Sequence, residues 1–399
     1  MKTILDYNFS GSKVLIRVDF NVPLNDELQV TDDTRIRAAV PTIKKILGDG
    51  GSVILMSHLG RPKGGYEKKY SLENIIPALS SALDNKKILF ANDCIGESAQ
   101  SLANDLISGE VLLLENLRFY PEEEKGDVGF SKKLSMLGDF YINDAFGTAH
   151  RKHASTAVIA EFFKQKKALG LLMADEVNNI SKVLHHVEHP YVAVIGGAKV
   201  SSKINILKNL VDKVDHFIIG GGMVFTFIKA MGGRVGNSLV ENDMVSAAEE
   251  IISLCKKNGV KIHLPVDSIC STVFGENGEI KQFNTNEIED GFMGLDIGPN
   301  AVEQFKLVLM SAKTILWNGP MGVFEMSSFE NGTQAVGQAI AGATKAGAFS
   351  LVGGGDSVAA VNKYHLSDEM SYVSTGGGAM LEFMEGITLP GIAAIEDNF

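Results

Sequence analysis

The sequence predicts an α/β protein built on parallel sheets and divided into two domains. Three observations carry this. The chain has 399 residues, more than one ordinary hydrophobic core accommodates. Short apolar runs alternate with segments of helical spacing, the pattern of strand–helix–strand units. In the second half, apolar runs end in glycine before a helical pattern resumes, as strand-to-helix turns along one rim of a sheet do.

Composition fits a soluble globular protein, 45% hydrophobic and 21% charged. No apolar run approaches the roughly 18 residues of a membrane span. The start, Met1-Lys2-Thr3-Ile4-Leu5-Asp6, lacks the apolar core of a signal peptide. Cys94, Cys255 and Cys270 are too few and too scattered for a disulfide framework or a zinc site. A cytoplasmic location is therefore expected. The net charge of −11 argues against nucleic acid or an anionic membrane as the main partner.

Strands are expected over residues 14–20, 52–56, 87–90, 111–114 and 139–142. Pro23 lies beyond the first, where it cannot continue a central ladder. Thr31-Asp32-Asp33-Thr34 offers N-caps to a helix carrying Arg35, Ile36, Val40, Ile43 and Ile46. Six of the seven arginines precede residue 152. Arg61, Arg118 and Arg151 lie just past strands, and Arg35 opens the helix after one. That rim is where open α/β sheets bind ligands. Four guanidiniums there, with His58 and His150 nearby, would repel one another unless an anion sat among them.

Glycine runs the other way, with 14 residues up to position 190 and 28 after it. Expected strands 192–195, 217–219, 315–317, 349–352 and 372–373 each lead into glycine-rich turns. A groove lined by backbone suits a nucleotide. No G-x-x-x-x-G-K-[ST] occurs, and no complete G-x-G-x-x-G follows these strands, so neither a Walker-type NTPase nor a nicotinamide dehydrogenase is indicated. Lys199 and Lys203 are expected one turn apart on one face of the helix after 192–195. Their mutual repulsion and the helix dipole would both be reversed by a bound polyphosphate. Asp356-Ser357 would cap the helix after Gly353-Gly354-Gly355. In a phosphate groove the Asp356 carboxylate also makes sense as a Mg²⁺ ligand. Residues 170–189 keep a helical stripe closed by His189-Pro190, which suits either a strut between two units or a plain crossover helix.

The run Lys13-Val14-Leu15-Ile16-Arg17-Val18-Asp19-Phe20-Asn21-Val22-Pro23 resembles the signature of the phosphoglycerate kinase family. Further motifs resemble it in the same order. They are Ser57-His58-Leu59-Gly60-Arg61-Pro62, Glu115-Asn116-Leu117-Arg118-Phe119, Asp144-Ala145-Phe146-Gly147-Thr148-Ala149-His150-Arg151 and Gly196-Gly197-Ala198-Lys199-Val200. Trp317-Asn318-Gly319-Pro320-Met321-Gly322-Val323-Phe324-Glu325 and Gly353-Gly354-Gly355-Asp356-Ser357 complete the set. Met326 departs from it, standing where an aromatic residue is expected beside the ribose contact.

The resemblance implies two doubly wound, Rossmann-like domains joined by a hinge helix. The domains would be 1–171 for 3-phosphoglycerate and 190–384 for the nucleotide, with 172–189 between them and the tail 385–399 packing on the first. It implies reversible transfer of the ATP γ-phosphoryl group to the carboxylate of 3-phosphoglycerate, giving ADP and 1,3-bisphosphoglycerate. The acid substrate would lie on Asp19, Asn21, Arg35, His58, Arg61, Arg118 and Arg151. The nucleotide would lie on Gly197, Lys203, Gly221, Gly294, Asn318, Glu325, Gly353, Gly354, Gly355, Asp356 and Ser357. Glu325 would hold the ribose, Asp356 the Mg²⁺, and Lys199 with Arg35 the transferring group. A monomer is expected. The rival readings are another ATP-dependent carboxylate kinase and a non-catalytic two-domain anion-binding protein.

In-line transfer needs reacting atoms about 3–3.5 Å apart, and each ligand alone has contacts mainly in one half. Closure about residues 170–190 is therefore expected to need both ligands. Small-angle scattering should show the radius of gyration falling fully only in the ternary complex. An unchanged value between free and ternary forms would leave the helix a passive linker.

Overall fold

The computed structural model describes residues 2–396. Met1 and residues 397–399, the outer ends of the expected first domain and tail, lie outside the described residues. The chain forms two compact units, Met1–Asn178 with Ile387–Phe399, and Asn179–Gly386.

The first unit is built on six parallel strands, β1 (Lys13–Val18), β2 (Ser52–Met56), β3 (Ile88–Ala91), β4 (Val111–Leu114), β5 (Phe140–Asp144) and β6 (Lys167–Leu169), in the order β3-β4-β2-β1-β5-β6. Helices cover both faces, so the central strands read as unbroken apolar runs instead of alternating. Every residue of β2 and β4 is buried. The helix Thr34–Gly48 buries Ile36, Ala39, Ile43 and Ile46, a stripe at helical spacing. Its N-cap position falls to Asp33, which makes no side-chain cap bond. Asp32 accepts the Thr34 amide instead, at 2.9 Å. β1 stops at Val18, two residues before the expected end, and β6 is a strand the sequence pattern does not signal. Three residues are too few to show a period. The helix Pro390–Glu396 packs on β6. Asn143 Nδ2 donates to the Gly391 carbonyl at 3.1 Å, and the Gly391 amide to Ala149 at 2.8 Å.

Leading from the first unit into the second is the helix Leu171–Leu184. It ends five residues before the expected His189. The Glu188 amide and carbonyl are both taken by the Thr314 hydroxyl, at 3.1 and 2.7 Å, which commits this stretch to the second sheet.

The second unit holds β7 (Tyr191–Ile195), β8 (His216–Ile219), β9 (Arg234–Val235), β10 (Lys261–His263), β11 (Asp267–Ser271), β12 (Ile280–Asn284), β13 (Glu287–Ile288), β14 (Met293–Ile297), β15 (Thr314–Asn318), β16 (Phe349–Val352) and β17 (Tyr372–Val373). Its main sheet is parallel, in the order β10-β8-β7-β15-β16-β17. β11, β12 and β14 form an antiparallel sheet, and β9 pairs with β13. Trp317 and Ile315 of β15 pack with Phe305 and Leu309 of the helix Pro299–Met310 and Val336 and Ile340 of the helix Asn331–Lys345. From β7 the chain winds outward through β8 to β10, then returns to the other side of β7 to lay down β15, β16 and β17. Two doubly wound sheets result, and the second has its topological switch point between β7 and β15.

Asp144, at the end of β5, receives the start of the helix Leu171–Leu184. Its Oδ1 accepts the Met173 amide at 3.1 Å, while Oδ2 has no partner among the described residues. Burial pushes its carboxyl up to about 7, against hydrogen bonds from Thr42, Met173 and Leu172 that favour the anion. The folded state therefore binds more protons here than the unfolded chain between pH of about 4 and 7. This group's effect is to make the protein more stable as pH falls through that window. Asp144→Asn should remove roughly 1 kcal/mol of the difference in unfolding free energy between pH 6 and 8. Urea unfolding of both proteins at the two pH values measures this, and comparing them cancels the opposing contribution of buried histidines. Identical pH dependence would show that Asp144 is ionised throughout.

Candidate active site

The first candidate rim lies at the carboxyl ends of β1, β2, β4 and β5. Arg17 enters it from within β1, buried in the sheet. Its Nη2 meets His58 Nδ1 at 3.2 Å and its Nε donates to Ser155 Oγ at 2.9 Å, while Nη1 donates to the Val18 carbonyl. Ser155 Oγ donates in turn to Glu123 at 2.5 Å, so a buried carboxylate sits two bonds from the buried guanidinium. Burial raises the Glu123 pKa, with Arg17 and the Ser155 hydrogen bonds opposing it.

Around this centre stand the residues expected to hold an anion. Arg35 Nη1 donates to Asp19 at 3.0 Å and to the Asn21 carbonyl at 3.2 Å. Asn21 Oδ1 accepts the Gly60 amide at 2.8 Å, and the Gly60 carbonyl accepts Arg118 Nη1 at 2.8 Å. Arg118 also meets Glu124 at 3.1 Å and is 8% exposed in its side chain. Burial lowers its pKa, with Glu124 opposing and Arg151 and Arg17 adding to the effect. Arg151 Nε donates to His150 Nε2 at 3.2 Å. His58 is buried, and its pKa falls well below the usual value, first through desolvation and then through Arg17, Arg118, Arg35 and Arg151. His153 is held down to about 4 by burial and by Arg17, Arg118, Arg151 and His150. The structure thus gathers Arg35, Arg118 and Arg151 about His58. Arg61 is exposed, in the turn after β2 that also carries His58. Arg17 is the member that sequence pattern underrates. The one signal for it is a cation inside an otherwise apolar central strand.

The second candidate site is a cleft of about 660 Å³ in the other unit, at the carboxyl ends of β7, β8 and β15, along β14 and at the start of the helix Gly355–Lys363. Of the residues expected at the nucleotide, Gly197, Gly221, Gly294, Glu325 and Asp356 line this cleft, while Lys203, Asn318, Gly353, Gly354, Gly355 and Ser357 are not among its lining residues. Leu239, Phe274, Met293 and Met326 also line it, and so does Asp296, whose carboxyl burial pushes up to about 7. Gly196 and Asn318 join β7 to β15 at the switch point, the Gly196 amide donating to the Asn318 carbonyl at 2.9 Å. Gly319 has φ +103°, and a Cβ there would stand 2.1 Å from the Gly196 carbonyl oxygen, so neither turn tolerates a side chain. Asn318 Nδ2 donates to the Gly353 carbonyl at 2.7 Å and its Oδ1 accepts Lys203 Nζ at 2.5 Å. Ser357 Oγ accepts the Gly319 amide at 2.5 Å. A Cβ on Gly354, at φ +91°, would collide with Asn318 Nδ2.

Two expectations change here. Lys199 and Lys203 do not share a face of one α-helical turn. A 3₁₀ turn, Val200–Ser202, lies between them, and the α-helix Ile204–Leu210 begins after Lys203. The short turn separates the charges, leaving Lys199 exposed while Lys203 is half-buried on Asn318. Burial lowers the Lys203 pKa, and Asp356 and Glu385 oppose it. Asp356 does not cap its helix either. Gly354 holds the N-cap position, and Asp356 stands exposed in the first turn with no side-chain hydrogen bond among the described residues. The capping explanation for this carboxylate is gone. It remains an acidic side chain in the first turn, favourable with the helix dipole and of the donor type that a hard divalent cation takes.

Comparisons with known proteins bear on this geometry. The family profile described as Phosphoglycerate kinase matches residues 4–387. A phosphoglycerate kinase of Porphyromonas gingivalis is 51% identical, over 99% of this chain and all of that one. A cytosolic phosphoglycerate kinase of Arabidopsis thaliana is 49% identical over 99% of this chain and 98% of its own. The solved structure of phosphoglycerate kinase from Coxiella burnetii superposes with a TM-score of 0.90 at 39% identity, covering 99% of this chain and 98% of that one.

His58 accepts from Arg17 on Nδ1, so it carries its proton on Nε2 and stays neutral. Long-range ¹H–¹⁵N spectra should show the Nε2–H tautomer unchanged from about pH 6 to 8. A titration step in that range would mean that the guanidiniums are farther from the ring.

Proposed function

The chain belongs to the phosphoglycerate kinase family, and we propose how its two rims divide that family's reaction. The protein is a glycolytic phosphotransferase with a carboxyl group as acceptor. It interconverts ATP plus 3-phosphoglycerate and ADP plus 1,3-bisphosphoglycerate, in the cytoplasm. The observation that carries the site reading is the set of guanidiniums around a neutral His58, an environment suited to a substrate with both a phosphate and a carboxylate.

The phosphate of 3-phosphoglycerate lies among Arg35, Arg61, Arg118 and Arg151, with Asp19 and Asn21 taking its hydroxyl side and His58 donating from Nε2. The substrate carboxylate is ionised at pH 7, since such groups titrate near about 3.5. It needs no general base, which agrees with a rim of cations and a histidine that cannot take a proton there.

The nucleotide lies in the glycine-lined cleft. Its base and ribose meet Gly221, Gly294 and Glu325, and its phosphates meet Gly197, Lys203, Asn318, Gly353, Gly354, Gly355 and Ser357. Asp356 would hold Mg²⁺, which screens phosphate charge when bound. Lys199, exposed and free of a side-chain hydrogen bond among the described residues, balances charge on the transferring phosphoryl group, with Arg35 on the acceptor side. Phosphoryl transfer asks mainly for alignment and cations around the equatorial oxygens.

A coupled assay should show ADP formation with 3-phosphoglycerate and very little with glycerate, which lacks the phosphate. Lys199→Ala should lower kcat roughly 10²-fold or more with little change in KM for ATP, because the contact is made in the transition state. A near-normal kcat with a sharply raised KM would make Lys199 a ground-state phosphate ligand.

A further inference from the structure

The cleft's segment 319–326 passes Glu325 to the nucleotide, yet Glu325 itself is exposed. Something must hold its backbone. Val323 donates to the Leu295 carbonyl at 2.9 Å, and Met326 to Val323 at 3.0 Å. Between these, the carbonyl of Phe324 accepts Lys363 Nζ at 2.7 Å. That oxygen belongs to the peptide group that leads into Glu325, so fixing it fixes where the Glu325 side chain starts.

Lys363 is the last residue of the helix Gly355–Lys363. It is itself held by Glu330 at 2.6 Å and lies 6.0 Å from the centre of the buried Phe324 ring. Burial, Glu330, Asp296 and Glu325 together raise the Tyr364 phenol, which places Glu325 within electrostatic reach of this helix end. The first turn of the same helix carries Asp356 and Ser357, on the phosphate side of the cleft. Eight residue steps separate Gly355 from Lys363, roughly 12 Å of rigid rod.

We propose that Lys363 is a positioning residue for nucleotide binding, setting Glu325 for the ribose hydroxyls through the Phe324 carbonyl. The helix Gly355–Lys363 thereby holds both ends of the ligand in one register, phosphates at its start and ribose at its finish. This rests on the reading of Glu325 as the ribose contact. The charge of Lys363 matters less than its hydrogen bond, because Glu330 already neutralises it and 41% of its side chain is exposed.

The test compares ATP with 2′,3′-dideoxy-ATP, which lacks both ribose hydroxyls. Lys363→Met should raise KM for ATP roughly tenfold, the scale of one lost charge-assisted hydrogen bond. KM for 3-phosphoglycerate and kcat should stay within about twofold. With the dideoxy nucleotide the variant and the parent should differ little. Lys363→Arg should recover most of the ATP affinity, and Glu330→Gln, which leaves the Phe324 bond in place, should keep it. Should Lys363→Met fail to fold, Lys363→Leu, which also lacks a donor, carries the same comparison. An equal penalty for both nucleotides, or none for ATP, would overturn the proposal and leave Lys363 a packing residue. Glu325→Gln is the control for the underlying reading. If it penalises both nucleotides alike, the ribose assignment falls, and this proposal with it.

Discussion

A guanidinium buried in the middle of a parallel sheet is the constraint on which the first unit turns. Arg17 cannot shed its charge, and an isolated buried ion costs several kcal/mol even after relaxation. The fold meets this with three acceptors, Ser155, the Val18 carbonyl and His58. Each drags another element into place. Ser155 brings Glu123 and so the helix Pro121–Lys125. His58 comes with the turn after β2, whose Ser57 hydroxyl accepts the Phe20 amide at 2.8 Å. The rim is therefore assembled around a charge beneath it, before any ligand arrives.

The same charge decides the chemistry of the histidine. A ring that accepts from Arg17 and lies among three further guanidiniums has no reason to bind a proton. It is a fixed neutral donor, useful for orienting an anion and useless as a base. The second unit differs. Its cleft has few side-chain charges and offers mainly main chain where two parallel strands diverge. Gly196 and Gly319 touch closely enough to exclude any Cβ, and Asn318 ties β15 to both Gly353 and Lys203. One asparagine thus fixes the turn after β16 relative to the lysine that precedes the helix Ile204–Leu210.

Much of this was legible in the sequence, for reasons that differ by element. β2, β4 and β16 follow their apolar runs residue for residue, because strands buried on both faces need continuous hydrophobicity. The short strands β6 and β10 and the antiparallel sheet of β11, β12 and β14 carry no such run and were not legible. Arg35, Arg118 and Arg151 could be placed by their position just past strands or at the head of the following helix. Arg61 carries the same local signal and stands exposed in the turn after β2. The lysine pair failed at finer grain. Spacing of four implies a shared face only in an α-helix, and the tight turn at Val200–Ser202 breaks that geometry. Asp356 was readable as a cap from local sequence alone, but a glycine at φ +91° took the N-cap position and freed the carboxylate.

The two rims also differ in how ready they are. Arg35 is held by Asp19 and the Asn21 carbonyl, and Arg118 by Glu124 and the Gly60 carbonyl. These cations already point from fixed stems, so binding an anion costs little side-chain entropy. The carboxylates that hold them are also competitors, and they weaken the field an arriving anion feels. That is a sensible compromise for a reversible kinase. A site of bare guanidiniums would hold its phosphorylated acid too tightly, and binding substrate and transition state equally adds nothing to turnover. Lys199 is the exception, exposed and unheld on the nucleotide side. A flexible ammonium can follow a phosphoryl group as it moves, where a clamped guanidinium cannot. On the proposed reading, the held guanidiniums would orient the acid, Arg35 also meeting the transferring group from that side, and the unheld ammonium would reach it from the nucleotide side.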